Sequence, residues 1–265
     1  MNLRKGCIQV DESVLHNTKG FKVAIVIPVY DHETAIISTL ERLLTYACPI
    51  LLVDDGSHKK CQLVLEGLCE KFPERVSLLR LEQNSGKGGA VKQGLRQLLS
   101  ETYTHAVQID ADGQHDHSDL PTFLEMSKRY PTDLISGCPV YDESLTKLRY
   151  YSRYLTSIWV WINTLSFAIK DGMCGFRVYP LNAIVALLEQ ENCGDRMDFD
   201  IEIMVRWLWR GGTIRAVETK VNYPVDGVSH FNVWRDNMLI SWMHTRLFFG
   251  MLRRLPLLLC RKING

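Results

Sequence analysis

The sequence predicts an α/β fold: a single domain on a mostly parallel sheet, with an amphipathic helical appendage at the C-terminus. Three observations predict it. The chain has 265 residues, which suits one large α/β domain or two small ones, and it shows no internal repeat and no low-complexity linker. In its first half, β-branched apolar runs alternate with helical segments of ordinary length. In its last part, apolar and basic residues replace that alternation.

Taken in order, residues 22–30 (KVAIVIPVY) form a β-branched run and read as a buried strand. Helical spacing follows over 33–46. A second strand is expected at 49–53 (PILLV), a helix at 59–72 on the apolar positions Leu63, Leu65, Leu68 and Phe72, and a third strand at 76–81. A helix over 87–99, a strand over 105–109, a helix over 118–130 and a strand over 133–136 complete the alternation. Strands separated by helices of this length indicate βαβ units and a parallel sheet. Ligands then sit beyond the carboxyl ends of the strands. The second half reads differently. A long helix spans 148–169 with Trp159 and Trp161, and another spans 198–210, ended by Gly211 and Gly212. Residues 213–221 alternate as a strand, and 232–255 are helical until Pro256. The expected divisions are an N-terminal extension (1–21), a main domain (22–231) and an amphipathic basic tail (232–265).

Composition excludes several classes. Hydrophobic residues make up 46% and charged residues 23%, enough apolar material for a substantial core, so general disorder is excluded. Lys plus Arg is 31 against 30 Asp plus Glu, so a uniformly basic nucleic-acid binder is excluded and no nucleic-acid partner is expected. The balance is uneven along the chain. No acidic residue follows Asp236, whereas Arg246, Arg253, Arg254, Arg261 and Lys262 do, leaving 26 basic against 30 acidic residues in the rest. Eight cysteines lie scattered in apolar segments without a C-x-x-C pair, which suits reduced, buried thiols in a cytosolic protein. The polar N-terminus does not read as a signal peptide, and no apolar run reaches about 18 residues, the length of a spanning helix.

The chemistry-bearing residues follow the expected strands. The first strand runs into IPVYDHE (27–33) and the second into LLVDDGS (51–57), so carboxylates of two neighbouring strands face one crevice. They are placed to accept hydrogen bonds from a base or a ribose, or to cap the next helix. NSGKGGA (84–90) lies between a strand and a helix, where glycines allow close approach of a phosphate to a helix N-terminus. It matches neither a Walker A loop nor G-x-G-x-x-G. QIDADGQHD (108–116) sets Asp110 and Asp112 just beyond a buried strand, with oxygen donors suited to Mg²⁺ or Mn²⁺ bridging a diphosphate. In isolation such a pair reads equally as a solvated acidic turn. DGMCGFRVY (171–179) places Arg177 after a permissive Gly175, as a cation presented to a phosphate or as a surface arginine at a turn. DFDIEI (198–203) begins a helix with Asp200 and Glu202, candidates for a base or simple first-turn carboxylates. GVSHF (227–231) carries His230, a candidate diphosphate contact or metal ligand.

In order and spacing, these segments resemble glycosyltransferase family 2, in the branch of polyprenyl-phosphate sugar transferases similar to dolichol-phosphate mannose synthase. The resemblance covers roughly residues 22–231. It implies a Rossmann-like A-type glycosyltransferase fold and inversion at the anomeric carbon. It implies that Pro28, Tyr30 and Glu33 line the nucleotide pocket, that Asp55 holds the base or ribose, and that Lys87 lies near the nucleotide. Asp110 and Asp112 would surround a Mg²⁺ or Mn²⁺ ion, with His230 completing its shell or contacting the diphosphate, and Gln114 stands where the branch often has Gln. Arg177 would serve the acceptor side, and Asp200 and Glu202 would be the catalytic carboxylates. Asp31 stands where Asn is more usual. The donor implied is a UDP- or GDP-sugar, and the acceptor a membrane lipid such as polyprenyl phosphate. Competing readings are transfer to a hydroxyl of a cell-envelope lipid, nucleotidylyl transfer, and a non-catalytic sugar-nucleotide-binding module.

The tail completes this reading. Trp234, Trp242, Phe248 and Phe249 beside five cations suit a bilayer interface, apolar groups entering lipid and arginines meeting headgroups. Peripheral attachment to the cytoplasmic face of the plasma membrane is expected. Self-association through the same face is the competing expectation.

Overall fold

The computed structural model describes residues 20–140, 147–221 and 232–264. The first run of the chain that the sequence marks as buried is β1 (Val23–Val29), and its burial is two-sided. Ala24 and Val26 enter one apolar cluster with Leu51 and Val53, while Ile25, Ile27 and Val29 enter a second with Ile50 and Leu52. Those partners belong to β2 (Ile50–Asp54), which pairs parallel with β1. A strand covered on both faces has no need of polar alternation, so both read as continuous hydrophobic runs.

Between them α1 (Ala35–Leu43) crosses over, and α2 (Lys59–Lys71) leads to β3 (Val76–Arg80). After α3 (Lys87–Ser100) the chain returns to the other side of β1 as β4 (His105–Gln108). A short 3-10 turn (His117–Asp119) and α4 (Leu120–Arg129) precede β5 (Leu134–Val140). Then come α5 (Lys147–Thr164), β6 (Arg177–Pro180), α6 (Leu181–Gln190), α7 (Phe199–Trp209), β7 (Ile214–Lys220) and α8 (Val233–Asn264). The sheet order is β3-β2-β1-β4-β6-β5-β7, with β6 antiparallel to both neighbours and the other pairs parallel. From β1 the chain winds first to one side and then to the other. The crevice between the carboxyl ends of β1 and β4 is therefore the switch point where ligands bind in such sheets.

Four elements differ from the sequence expectation. β6 and α6 occupy a stretch assigned to neither strand nor helix. Only four residues form β6, and its central position comes from pairing with two distant strands rather than from a long β-branched run. α5 stops at Thr164, short of 169, because Leu165 turns into the left-handed region at φ 52°. α8 continues through Pro256. A proline inside a helix forfeits one backbone hydrogen bond. Here it sits on the exposed side of a helix held beyond it by buried Leu258 and by Arg261, whose guanidinium donates to the carbonyls of Leu208 and Trp209. Nor does α8 stand clear of the body: it packs on α5 and α7 and buries Ile240, Met243, Leu247 and Met251. Most of the expected N-terminal extension, and the 227–231 loop with His230, lie outside the described residues.

Candidate functional site

β4 delivers the chain to the switch point through Ile109, and there its hydrophobic character ends in Asp110 and Asp112. Lys87, the first residue of α3, inserts its ammonium beside them. Its Nζ lies 2.9 Å from Asp110 and 2.8 Å from Asp200 Oδ2, in the first turn of α7. Asp200 Oδ1 accepts from Gln108 Nε2 at 3.3 Å, and the Tyr179 hydroxyl donates to Gln108 Oε1 at 2.9 Å. Four elements thus meet at one buried ion cluster.

Its electrostatics follow from the contacts. Burial alone would lower the Lys87 pKa, but Asp110 and Asp200 outweigh it and hold the ammonium well above its ordinary range. For Asp110, burial would favour the neutral acid, but Lys87 and then His115 outweigh it and keep the carboxyl well below the usual range. Asp112 moves the other way, raised by burial and by the charge of Asp110. The cleft therefore pairs an ion-paired carboxylate with one whose charge its surroundings disfavour. Gln114, His115, Arg153 and Gly175 line it as well. Gly175 is required by close approach: a Cβ there would lie 2.2 Å from Asp110 Oδ2. Asp171 organises that loop, its Oδ1 accepting from the backbone of Met173 and Cys174 at 2.8 Å while its carboxylate pairs with Arg153.

These donors fit a hard divalent cation. Asp112 offers a carboxylate that burial and the charge of Asp110 hold toward its neutral form, and His115 Nδ1 is buried without a hydrogen-bond partner. Among the described residues no three His, Cys, Asp or Glu side chains are grouped to hold an ion by themselves. That arrangement suits an ion held by one or two carboxylates and completed by phosphate oxygens and water, the usual mode for Mg²⁺.

Several expected residues are placed otherwise. Arg177, expected to present a cation to a phosphate, is wholly buried and donates to the carbonyls of Asp200 at 2.6 Å and Gly172 at 2.9 Å. Glu202 is wholly buried too, but outside the cluster. Its oxygens take Arg206, Arg246 and the Gly194 N–H, tying α7 to α8. Asp55 uses both oxygens on its own chain, accepting from Ser85 N and Oγ and from Gly86 N at 2.7–2.8 Å. It anchors the glycine loop. That loop holds protein where a phosphate was expected: Gly86 adopts φ 93°, a Cβ there would meet the Asp195 carbonyl at 2.5 Å, and Gly89 N–H donates to that carbonyl at 2.8 Å. Glu33 pairs with Lys60 at 2.8 Å, Pro28 is buried within β1, and Tyr30 lies half-buried at its end. Asp31 has φ 50° and its Oδ1 accepts from His58 N–H at 2.8 Å, which explains an Asx-type residue there.

Sequence reasoning did not single out Gln108, Tyr179, His115 or Arg153 as separate site residues. Gln108 carried a signal, being the polar end of an otherwise apolar strand.

The Glycosyl transferase family 2 model matches residues 24–184. A dolichyl-phosphate beta-glucosyltransferase of Dictyostelium discoideum is 27% identical over 226 residues, covering 77% of this chain and 67% of that protein. An undecaprenyl-phosphate 4-deoxy-4-formamido-L-arabinose transferase of Pseudomonas aeruginosa is 27% identical over 183 residues, covering 67% and 51%. Among solved structures, glucosyl-3-phosphoglycerate synthase of Mycobacterium tuberculosis, bound to Mn²⁺, UDP-glucose and glycerol 3-phosphate, shares the fold. Its TM-score is 0.59 at 15% identity, over 88% of this chain and 79% of that one.

Proposed function

The chain belongs to glycosyl transferase family 2, and from that premise we propose that it moves a sugar from a nucleoside-diphosphate donor to a polyprenyl phosphate, with inversion at the anomeric carbon. The observation that carries the choice of acceptor is the state of Asp200. One of its oxygens takes Lys87 and the other Gln108, and its side chain is 6% exposed. A hydroxyl acceptor needs a base to remove its proton, and this carboxylate is nearly closed off from an incoming hydroxyl, with both oxygens already engaged by Lys87 and Gln108. A phosphate acceptor is already a nucleophile and needs none. The relatives named above act, by their names, on dolichyl and undecaprenyl phosphates.

In this reading Asp112, with Asp110 behind it, would hold a divalent cation, Mg²⁺ or Mn²⁺, at the donor diphosphate. The ion, when bound, neutralises charge on the departing nucleoside diphosphate. Lys87 fixes Asp110 and Asp200 at a set separation, and Asp55 fixes the loop that carries Lys87. An acceptor phosphate oxygen attacks the anomeric carbon from the face opposite the diphosphate. The carbon–oxygen bond to the diphosphate breaks with its electron pair, and the new bond inverts the centre. Catalysis takes place at the cytoplasmic membrane surface, with the protein attached peripherally. No helix among the described residues is long and apolar enough to cross a bilayer.

Purified protein with Mn²⁺ and a UDP- or GDP-sugar is expected to glycosylate polyprenyl phosphate, giving a product labile to mild acid, and to leave the matching polyprenol untouched. Transfer to the polyprenol in place of its phosphate would overturn the proposal. Gly175→Ala tests the geometry. Its new methyl displaces the Asp110 carboxylate, and a displacement of that order is expected to cost roughly a hundredfold in turnover. Gly67→Ala is the control, since a Cβ there meets nothing within 4 Å; its turnover should match the parent.

A further inference from the structure

α8 has two apolar faces. One is buried against the body through Ile240, Met243, Leu247, Met251 and Leu258. The other, at i, i+4, i+7 spacing, is exposed: Trp234 (87%), Met238 (69%), Trp242 (60%), Phe249 (59%), Leu252 (45%) and Ile263 (82%). Ser241 and Thr245 interrupt this stripe, and the exposed Arg235 and Arg253 lie along one edge of it. At 32 residues the helix is about 48 Å long.

Three of the tail cations are engaged by the body. Arg246 pairs with buried Glu202 at 3.1 Å. Arg254 pairs with Glu191 at 3.5 Å and stacks on Trp209 at 4.6 Å. Arg261 donates to the carbonyls of Leu208 and Trp209. Arg253 is exposed, and the Lys262 side chain lies outside the described residues. The stripe adjoins α5 through Phe249, whose ring meets Phe248, and Phe248 in turn packs against Trp159 of α5; Arg153 of the same α5 lines the cleft.

We infer that this stripe is a lipid-contacting face that binds the bilayer chiefly by apolar insertion, anionic headgroups adding only what the exposed arginines at its edge supply. The inference rests on the proposed lipid acceptor, which must reach the cleft from a membrane. An apolar surface of this length, with tryptophans on it, matches the interfacial zone of a bilayer lying along the helix. Arg246, Arg254 and Arg261 are engaged by the body, while Arg235 and Arg253 are exposed. At roughly fivefold for each cation facing lipid, those two add about twenty-five-fold to the affinity for an anionic surface.

The test is flotation of the full chain, without donor or acceptor, on vesicles of phosphatidylcholine alone and on vesicles enriched in phosphatidylglycerol, at low and high salt. Binding to phosphatidylcholine alone is expected, with phosphatidylglycerol strengthening it by no more than about twenty-five-fold and high salt removing only that increment. Trp242→Glu combined with Phe249→Glu should lower the affinity at least about a hundredfold, while the melting temperature stays put because both side chains are exposed. Binding confined to anionic vesicles and abolished by salt would overturn the inference. So would a dimer that the double variant dissolves, without vesicle binding, or a monomer that binds no vesicle. Because no substrate is present, a failure here is distinguishable from a failure of the transfer reaction.

Discussion

Asp112→Asn is expected to lower kcat/KM by at least roughly a thousandfold while leaving the fold intact. Asparagine keeps the shape and one oxygen but removes the charge that a divalent ion would meet. The apo protein should not suffer. Burial and the neighbouring Asp110 raise the pKa of Asp112 in the folded state, so the native state binds this proton more tightly than the unfolded chain does. Stability from this group is then present at acid pH and is lost as pH rises through the folded pKa. A neutral asparagine escapes that loss. The variant should melt at or slightly above the parent temperature at pH 7, and the difference should close on acidification. Donor-dependent stabilisation by Mn²⁺ in the same melting experiment should disappear. Retained turnover, or retained Mn²⁺-dependent stabilisation, would overturn the role given to Asp112.

Arg177→Met is expected to act on stability instead. The guanidinium is wholly buried and supplies hydrogen bonds to the carbonyls of Asp200 and Gly172. Burial alone would lower its pKa, but Tyr179 and Asp200 outweigh that and hold it charged. The Tyr179 hydroxyl beside it is pushed up to about 12, by burial above all. Methionine fills much of the volume but leaves two carbonyls and the Asp200 carboxylate without this partner. Removing one member of a buried charged network costs about 3–5 kcal/mol, and for a chain of this size the melting temperature should fall by roughly 10 °C. A cation that served only a bound phosphate would weaken affinity and leave the melting temperature alone. A shift smaller than about 2 °C would therefore overturn the structural assignment.

Much of the fold could be read along the chain, because the information is local. Apolar β-branched runs such as Ile25–Ile27 and Ile50–Val53 declare strands buried on both faces. The helices between them declare crossovers, and the carboxylates that end the strands must then reach one crevice. Asp110, Asp112, Lys87 and Asp200 do meet around it. The short strand Arg177–Pro180 could not be read in the same way. Its place in the sheet rests on His105–Gln108 and on Ile135 and Ser136, some forty to seventy positions away, and four residues carry too little periodicity to announce it.

The sequence by itself therefore determined the alternation of strands and helices, the crevice to which the acidic motifs lead and the apolar character of the tail. Tertiary structure alone decided what each charge does. Arg177 turned inward to the Asp200 backbone, Glu202 left the cluster for Arg246, the glycine loop closed on Asp195, and most of the tail arginines met the body. The physical reason is the same in each case. Periodicity and propensity are set by neighbours a few positions away, whereas a buried charge must find a partner, and that partner is chosen by packing between segments tens of residues apart.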